Sequence, residues 1–314
     1  MLKQFKTLAD LYHTFSDNQV ALDHFKSIRW RNGKFCPYCG HDKVYTLKAN
    51  RYQCAQCKNT FSILVGTIFE NTKLPLKVWF GAIWLLTNHP KGIASTTLAK
   101  DLGVTQKTAW FVLHRLRHAA RTQSFNTPPM TGKVEIDETY VGGSAQNRHG
   151  RKRGKGAAAY GYTAVIGATE RGGPTVARVM PVGFTLPGAQ KFINEVVSPD
   201  AEMLATDAHV VYREVEGYPQ HKVIDHRKGE YVRGDVHTQT IESVWSMLKR
   251  QIVGTHHWVS PKHLQQYVSE MGWRMNHRSL TGAERINALF SAVEGRLTYK
   301  ALIDDKGRET PFAV

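Results

Sequence analysis

Apolar residues early in the chain, Phe5, Leu8, Leu11, Tyr12 and Phe15, fall at roughly helical spacing and predict helix over residues 3–30. Residues 33–62 lose that period and hold Gly33, Pro37 and Gly40, which predicts short strands joined by turns. Pro75 opens an apolar helical run that Pro90 ends. Ser95 is positioned to cap a short helix closed by Gly103, and Thr105 to cap a longer one. Beyond a Pro/Ser/Thr linker at residues 122–133 the period changes to that of strands. Residues 133–143 read as strand and turn, and residues 157–182 as a hairpin around Gly172 and Gly173. A helix (LPGAQKFINEVV), two short strands (EMLATD and HKVIDH) and two closing helices complete an order that indicates an α/β domain with a mixed sheet.

Composition narrows the class. The 314 residues are 41% hydrophobic and 10% aromatic, which fits a folded protein of two or three domains. No apolar run nears the ~18–20 residues needed to span a bilayer, and the first residues lack a signal-peptide core, so an intracellular protein without a membrane role is expected. The net charge of +16 is uneven. Residues 1–130 carry 18 Lys and Arg against 6 Asp and Glu, whereas the remainder carries 24 against 20. A basic field of this size favours a polyanionic partner, most often nucleic acid.

Two knuckles, Cys36-Pro-Tyr-Cys39 and Cys54-Ala-Gln-Cys57, supply the four thiolates of a tetrahedral Zn2+ site. A disulfide framework is the competing reading, and the intracellular context argues against it. Four protein ligands close the site, so its role is structural. Residues 93–119 read as helix, glycine turn and helix. As a helix-turn-helix this segment would aim Gln106, Lys107 and Arg115 outward at DNA; as a plain helical hairpin it would not. Arg151, Lys152 and Arg153 lie in a basic stretch, NRHGRKRGKG, suited to a DNA backbone or to solvent alone.

Three carboxylates stand out by context. Asp137 sits inside an apolar strand, Asp207 ends a strand, and Glu242 flanks the apolar face of a helix on which Lys249 lies two turns further on. Converging carboxylates need a divalent cation, and oxygen ligands suit Mg2+ or Mn2+. Their neighbours Glu135 and Glu138 are expected on the opposite sheet face. On spacing alone, all three remain readable as ordinary surface or paired acids.

The order Asp137, Asp207, Glu242, Lys249 resembles the D-D-E-K signature of insertion-sequence transposases. VEIDETYVGG, TDAH and HTQTIESVWSMLKR, followed by HHWVSPKHLQQYVSEMGWRMNHR, are similar to the branch with an N-terminal zinc ribbon that is related to Merlin elements. The resemblance implies an RNase H-like catalytic domain, catalytic metal-binding roles for Asp137, Asp207 and Glu242 with Mg2+ or Mn2+, and a DNA-end contact for Lys249. His237 or Gln239 are alternatives that share the role of Glu242. It further implies a transposase that binds double-stranded DNA at element ends and target, works as a homodimer or larger assembly, and resides with the nucleoid in a bacterial cytoplasm. A zinc-ribbon regulator and a nuclease without strand transfer are the rival functions. The expected layout is a helical segment (1–30), zinc ribbon (31–62), helix-turn-helix domain (63–121), linker (122–133), RNase H-like domain (134–278) and C-terminal tail (279–314).

Overall fold

The computed structural model describes residues 4–124, 128–142, 161–181 and 183–304. The chain forms two units, Met1–Thr122 with Ser279–Val314, and Gln123–Arg278. Among the described residues no helix is long and apolar enough to cross a membrane.

In the first unit the expected N-terminal helix is two helices, α1 (Leu8–Thr14) and α2 (Asn18–Arg29). The break falls where Asp17 accepts the backbone N–H groups of Gln19 and Val20 at 2.8 and 3.0 Å, which starts a new helix in place of continuing the old one. Strands β1 (Val44–Thr46), β2 (Arg51–Cys54) and β3 (Thr60–Ser62) make an antiparallel sheet. Helix α3 (Leu76–Asn88) buries residues on almost every side, as its uninterrupted apolar sequence requires. Phe80 of α3 packs against Phe15 and Phe290, with ring centroids 4.3 and 4.6 Å apart.

Phe290 lies in the stretch expected as a tail. That stretch instead forms α10 (Gly282–Phe290) and α11 (Tyr299–Ile303) within the first unit. A Thr281/Glu284 capping box starts α10, and its apolar positions Ile286, Leu289 and Phe290 are buried. The Ile68 N–H donates to the Val293 carbonyl at 2.9 Å, and Arg29 pairs with Glu294 at 2.8 Å. Helices α4 (Ser95–Leu102) and α5 (Gln106–Ser124) are joined through Gly103, whose φ of +64° places it in the left-handed region that favours glycine. Thr105 caps α5 by accepting the Thr108 N–H. Ser95 caps nothing and instead accepts from Gln106 at 2.9 Å.

The second unit is a five-stranded mixed sheet in the order β6-β5-β4-β7-β8. Strand β4 (Lys133–Val141) is central, antiparallel to β5 (Thr163–Glu170) and parallel to β7 (Met203–Asp207). Strands β6 (Thr175–Met180) and β8 (His221–Ile224) form the edges. On one face Val134 and Ile136 pack with Phe192 and Ile193 of α6 (Leu186–Val196) and with Tyr212 of α7 (Val210–Arg213). On the other, Val165 and Ala177 meet Ile241, Val244 and Trp245 of α8 (Gln239–Gln251) and Leu264 and Val268 of α9 (Pro261–Asn276). A mixed five-stranded sheet with helices on both faces fits the RNase H-like architecture.

Candidate active site

The four cysteines converge as their knuckle spacing demands. Cys36 and Cys57 Sγ lie 3.7 Å apart and Cys39 and Cys54 Sγ 3.6 Å apart. Four sulfurs each 2.3 Å from one tetrahedral Zn2+ would stand about 3.8 Å from one another. A disulfide at ~2.05 Å is excluded by the same distances. Backbone N–H groups of Tyr38 and Gln56 donate to the Cys36 and Cys54 sulfurs at 3.4 Å. The donor set fits a structural zinc.

In the helical pair, Gln106 and Lys107 are exposed. Arg115 is not. It is buried, its Nε donates to the Leu297 carbonyl at 3.2 Å, and its guanidinium lies 4.4 Å over the Phe111 ring. The outward reading of Arg115 is therefore corrected: residues 279–304, taken as a tail, cover the face of α5 on which it lies. Lys249 is exposed on α8, whereas Arg151, Lys152 and Arg153 lie outside the described residues.

Asp137 and Asp207 come together at the point where β7 ends. Their parallel strands pair up to Ile136 and Thr206; past that pair β4 runs on without β7 beside it. Glu138 joins them, and carboxylate oxygens of Asp137, Glu138 and Asp207 lie within 4.8 Å of one another. Strand alternation alone puts Asp137 and Glu138 on opposite faces. Where the neighbouring strand stops nothing separates those faces, and both side chains reach the same space over the end of β7. Glu135, two residues before Asp137, shares its face and not the opposite one.

Each acid is held differently. Trp245 Nε1 of α8 donates to Asp137 Oδ2 at 3.0 Å. The indole lies over Gly167, opposite Asp137 in the register, where a Cβ would sit 2.5 Å from the ring. The His209 N–H donates to Asp207 Oδ1 at 3.0 Å. Glu138 faces the buried Tyr212 hydroxyl, and that contact favours the ionised carboxylate. Burial, with Glu138 and Asp207 adding like charge, pushes Asp137 up to about 8. Burial and Asp207 raise Glu138 as well. Carboxylate oxygens are the hard donors that Mg2+ or Mn2+ takes, and these three would hold such an ion. The convergence of three carboxylates and their mutual repulsion mark this space as fitted to a cation.

Glu242 is not among these three. It sits in the first turn of α8, half exposed, where its Oε1 accepts from Thr238 Oγ1 at 2.9 Å and lies 3.5 Å from His226 Nε2. One turn separates it from Trp245, so the helix that steadies Asp137 also carries Glu242. Of the alternatives for its role, Gln239 is the first residue of α8 and His237 lies 3.2 Å from Glu135 Oε1.

The fully buried Glu135 fixes where α8 starts. Thr238, at the cap position, makes no side-chain bond to the free N–H groups of that helix. Glu135 Oε2 accepts them from β4, from Thr240 at 2.7 Å and Ile241 at 3.1 Å. Its Oε1 takes the Thr240 hydroxyl at 2.9 Å and Arg171 Nε at 2.7 Å. Arg171 extends the clamp to the carbonyls of Asp235 and His237. The sequence signal for both missed acids was the density of carboxylates in one apolar strand, with Glu135, Asp137 and Glu138 among four consecutive residues.

Residues 129–276, which hold all of these carboxylates, match the family model described as the ISXO2-like transposase domain. Residues 16–60, with the four cysteines, match the transposase zinc-ribbon domain. The chain is similar to a protein of Halobacterium salinarum described as an uncharacterized protein in the transposable element ISH50. The two are 28% identical over 292 residues, 88% of this chain and 97% of that one. No solved structure matches the chain.

Proposed function

We propose, for a chain that belongs through both matched regions to the IS1595 group of insertion-sequence transposases, that it binds the inverted ends of its element, cuts a strand there and joins the freed 3′ end to target DNA. The observation that carries this reading is the three-carboxylate cluster at the ends of β4 and β7, inside the matched transposase domain. Divalent cations bound there would activate an attacking oxygen and stabilise the leaving one. Asp137, Glu138 and Asp207 provide their ligands, and Trp245 holds Asp137 in place. Glu242 flanks the cluster and completes it once DNA and cations are bound, while exposed Lys249 takes a backbone phosphate.

Both reactions displace oxygen at phosphorus. In the first, water attacks the phosphodiester and the element's 3′ oxygen departs, taking a proton to become a hydroxyl. In the second, that hydroxyl loses its proton as it attacks a target phosphodiester, and the displaced target 3′ oxygen takes one up. No covalent enzyme intermediate is required.

Gln106 and Lys107, with the basic Arg151, Lys152 and Arg153, contact the duplex, and the zinc ribbon supports end recognition. Two ends must meet, so the working form on DNA is a homodimer or larger. The enzyme acts where the chromosome lies, in the prokaryotic cytoplasm. The test begins with the DNA on either side of the gene. Matching inverted repeats that the purified protein protects in footprinting and nicks at their outer edge support the reading. Flanks without repeats, bound without cleavage in Mg2+, would replace it with the regulator.

A further inference from the structure

Beside Asp207 lies a cavity of about 510 Å³ whose wall includes Arg213, His226 and Arg227. We propose that it holds one nucleotide of the strand being cut, with the phosphate on Arg213 and Arg227 and the base against Tyr231 and His226. The inference rests on the DNA-cutting reading above and adds how the strand is gripped.

Four features of the site support it. The volume lies within the ~300–1,000 Å³ of small-molecule sites, enough for one nucleotide and far too small for a duplex. Arg213 is exposed and, among the described residues, unpaired. Arg227 is 75% exposed; its Nη2 donates to the Ala208 carbonyl at 3.2 Å and its Nε lies 3.6 Å from Asp225 Oδ1 in the same wall, which steadies the guanidinium and leaves Nη1 unpaired among the described residues. The Tyr231 ring is 63% exposed, although a large aromatic group gains by burial, and it leans on His226 with centroids 5.2 Å apart and planes at 35°. An exposed aromatic ring backed by a second ring, next to guanidinium groups, is the surface on which an unpaired base stacks.

Position ties the cavity to the chemistry. Asp207 belongs to the carboxylate cluster and to the cavity wall. His226, in the same wall, meets Thr238 at 3.2 Å and Glu242 at 3.5 Å. A nucleotide seated there lies beside Asp207, with its base on the His226 side next to Glu242. Such a base is out of its pair, so the site acts on a strand that is locally opened.

The experiment uses the full zinc-loaded chain and duplexes of the gene's own flanking sequence, with a single abasic position moved stepwise across the outer edge of the repeat. Affinity is read by fluorescence anisotropy without added Mg2+, and cleavage in its presence. The wild type is expected to lose about 5- to 100-fold in affinity at one abasic position. Tyr231→Ala should bind the intact duplex correspondingly less well and be indifferent to that position, and Tyr231→Phe should regain most of the sensitivity. Arg213→Ala with Arg227→Ala should flatten the salt dependence of binding by ~0.7–0.9 in log–log slope per lost contact. A flat abasic scan, or a Tyr231→Ala variant that keeps the wild-type profile, overturns the inference. Cleavage that disappears in Asp137→Asn while the scan stays flat removes only the nucleotide site. Absence of cleavage in the wild type removes the parent reading.

Discussion

Truncating Glu135 to alanine tests whether one buried carboxylate determines where α8 sits. The variant leaves two N–H groups of α8 and the Thr240 hydroxyl without their acceptor, and leaves Arg171, whose side chain is only 18% exposed, with Asp235 as its remaining carboxylate partner. Each buried donor left without its acceptor costs ~1–3 kcal/mol, so the three donors together put the loss at ~3–5 kcal/mol even with Arg171 still paired to Asp235. Loss of a carboxylate at a helix N-terminus is contained in that figure. Glu135→Gln keeps the shape and one acceptor but loses the charge, so its cost should be nearer ~1.5–3 kcal/mol, the range for charge-assisted hydrogen bonds. The assay is amide hydrogen exchange on the full chain, read on peptides covering β4 and residues 239–251. At ~1.4 kcal/mol per tenfold, Glu135→Ala should lower protection of the first turn of α8 by more than about 100-fold, and Glu135→Gln by roughly tenfold or more. Peptides of the first unit should be unchanged. Protection of α8 within threefold of wild type in Glu135→Ala would refute the clamp.

Three further outcomes follow from the geometry. Asp137 titrates near 8 in the folded protein against 3.8 for a free side chain. The native state therefore holds the extra proton between those values, and without a divalent cation its stability should fall as pH rises from about 4 to 8. Thermal melts of Asp137→Asn should lose part of that slope, and an identical slope would contradict the burial argument. Zinc removal should unfold β1–β3, since strands of three or four residues then keep only the packing of Tyr52 and Phe61; elemental analysis should find one zinc per chain, and Cys54→Ser should lose both metal and ribbon. Arg115→Ala should destabilise the first unit by ~1–3 kcal/mol with no change in the salt slope of DNA binding. Lys107→Ala should do the reverse, keeping stability and lowering the slope by ~0.9; a shared phenotype would undo the distinction.

Local signals carried far in this chain. The cysteine knuckles work through spacing alone, and their sulfurs arrive at zinc-like separations. The strands of the second unit follow apolar patterning with turn glycines, so β4 through β8 fall where the period changes. What escaped depended on where neighbours stop or start. Glu138 enters the cluster because β7 ends one residue after Thr206, a fact about strand lengths that β4 does not contain. Arg115 is buried because residues about 180 positions later fold back over α5. Asp17 had the chemistry of a helix cap in plain view, yet the continuing apolar spacing masked it. Glu242 lies on the expected helix but apart from the other acids, because Thr238 and His226 hold its carboxylate at the first turn of α8.

The most direct measurement is strand joining. The full chain is incubated in Mg2+ with labelled flanking repeats and a plasmid target, as wild type and as Asp137→Asn, Asp207→Asn and Glu138→Gln. Wild type should transfer the 3′ end into the plasmid, and all three variants should bind the repeats while joining falls by at least 100-fold. A wild type that cuts but never joins would make the protein a nuclease, and joining that survives in Asp137→Asn or Asp207→Asn would contradict the carboxylate site itself.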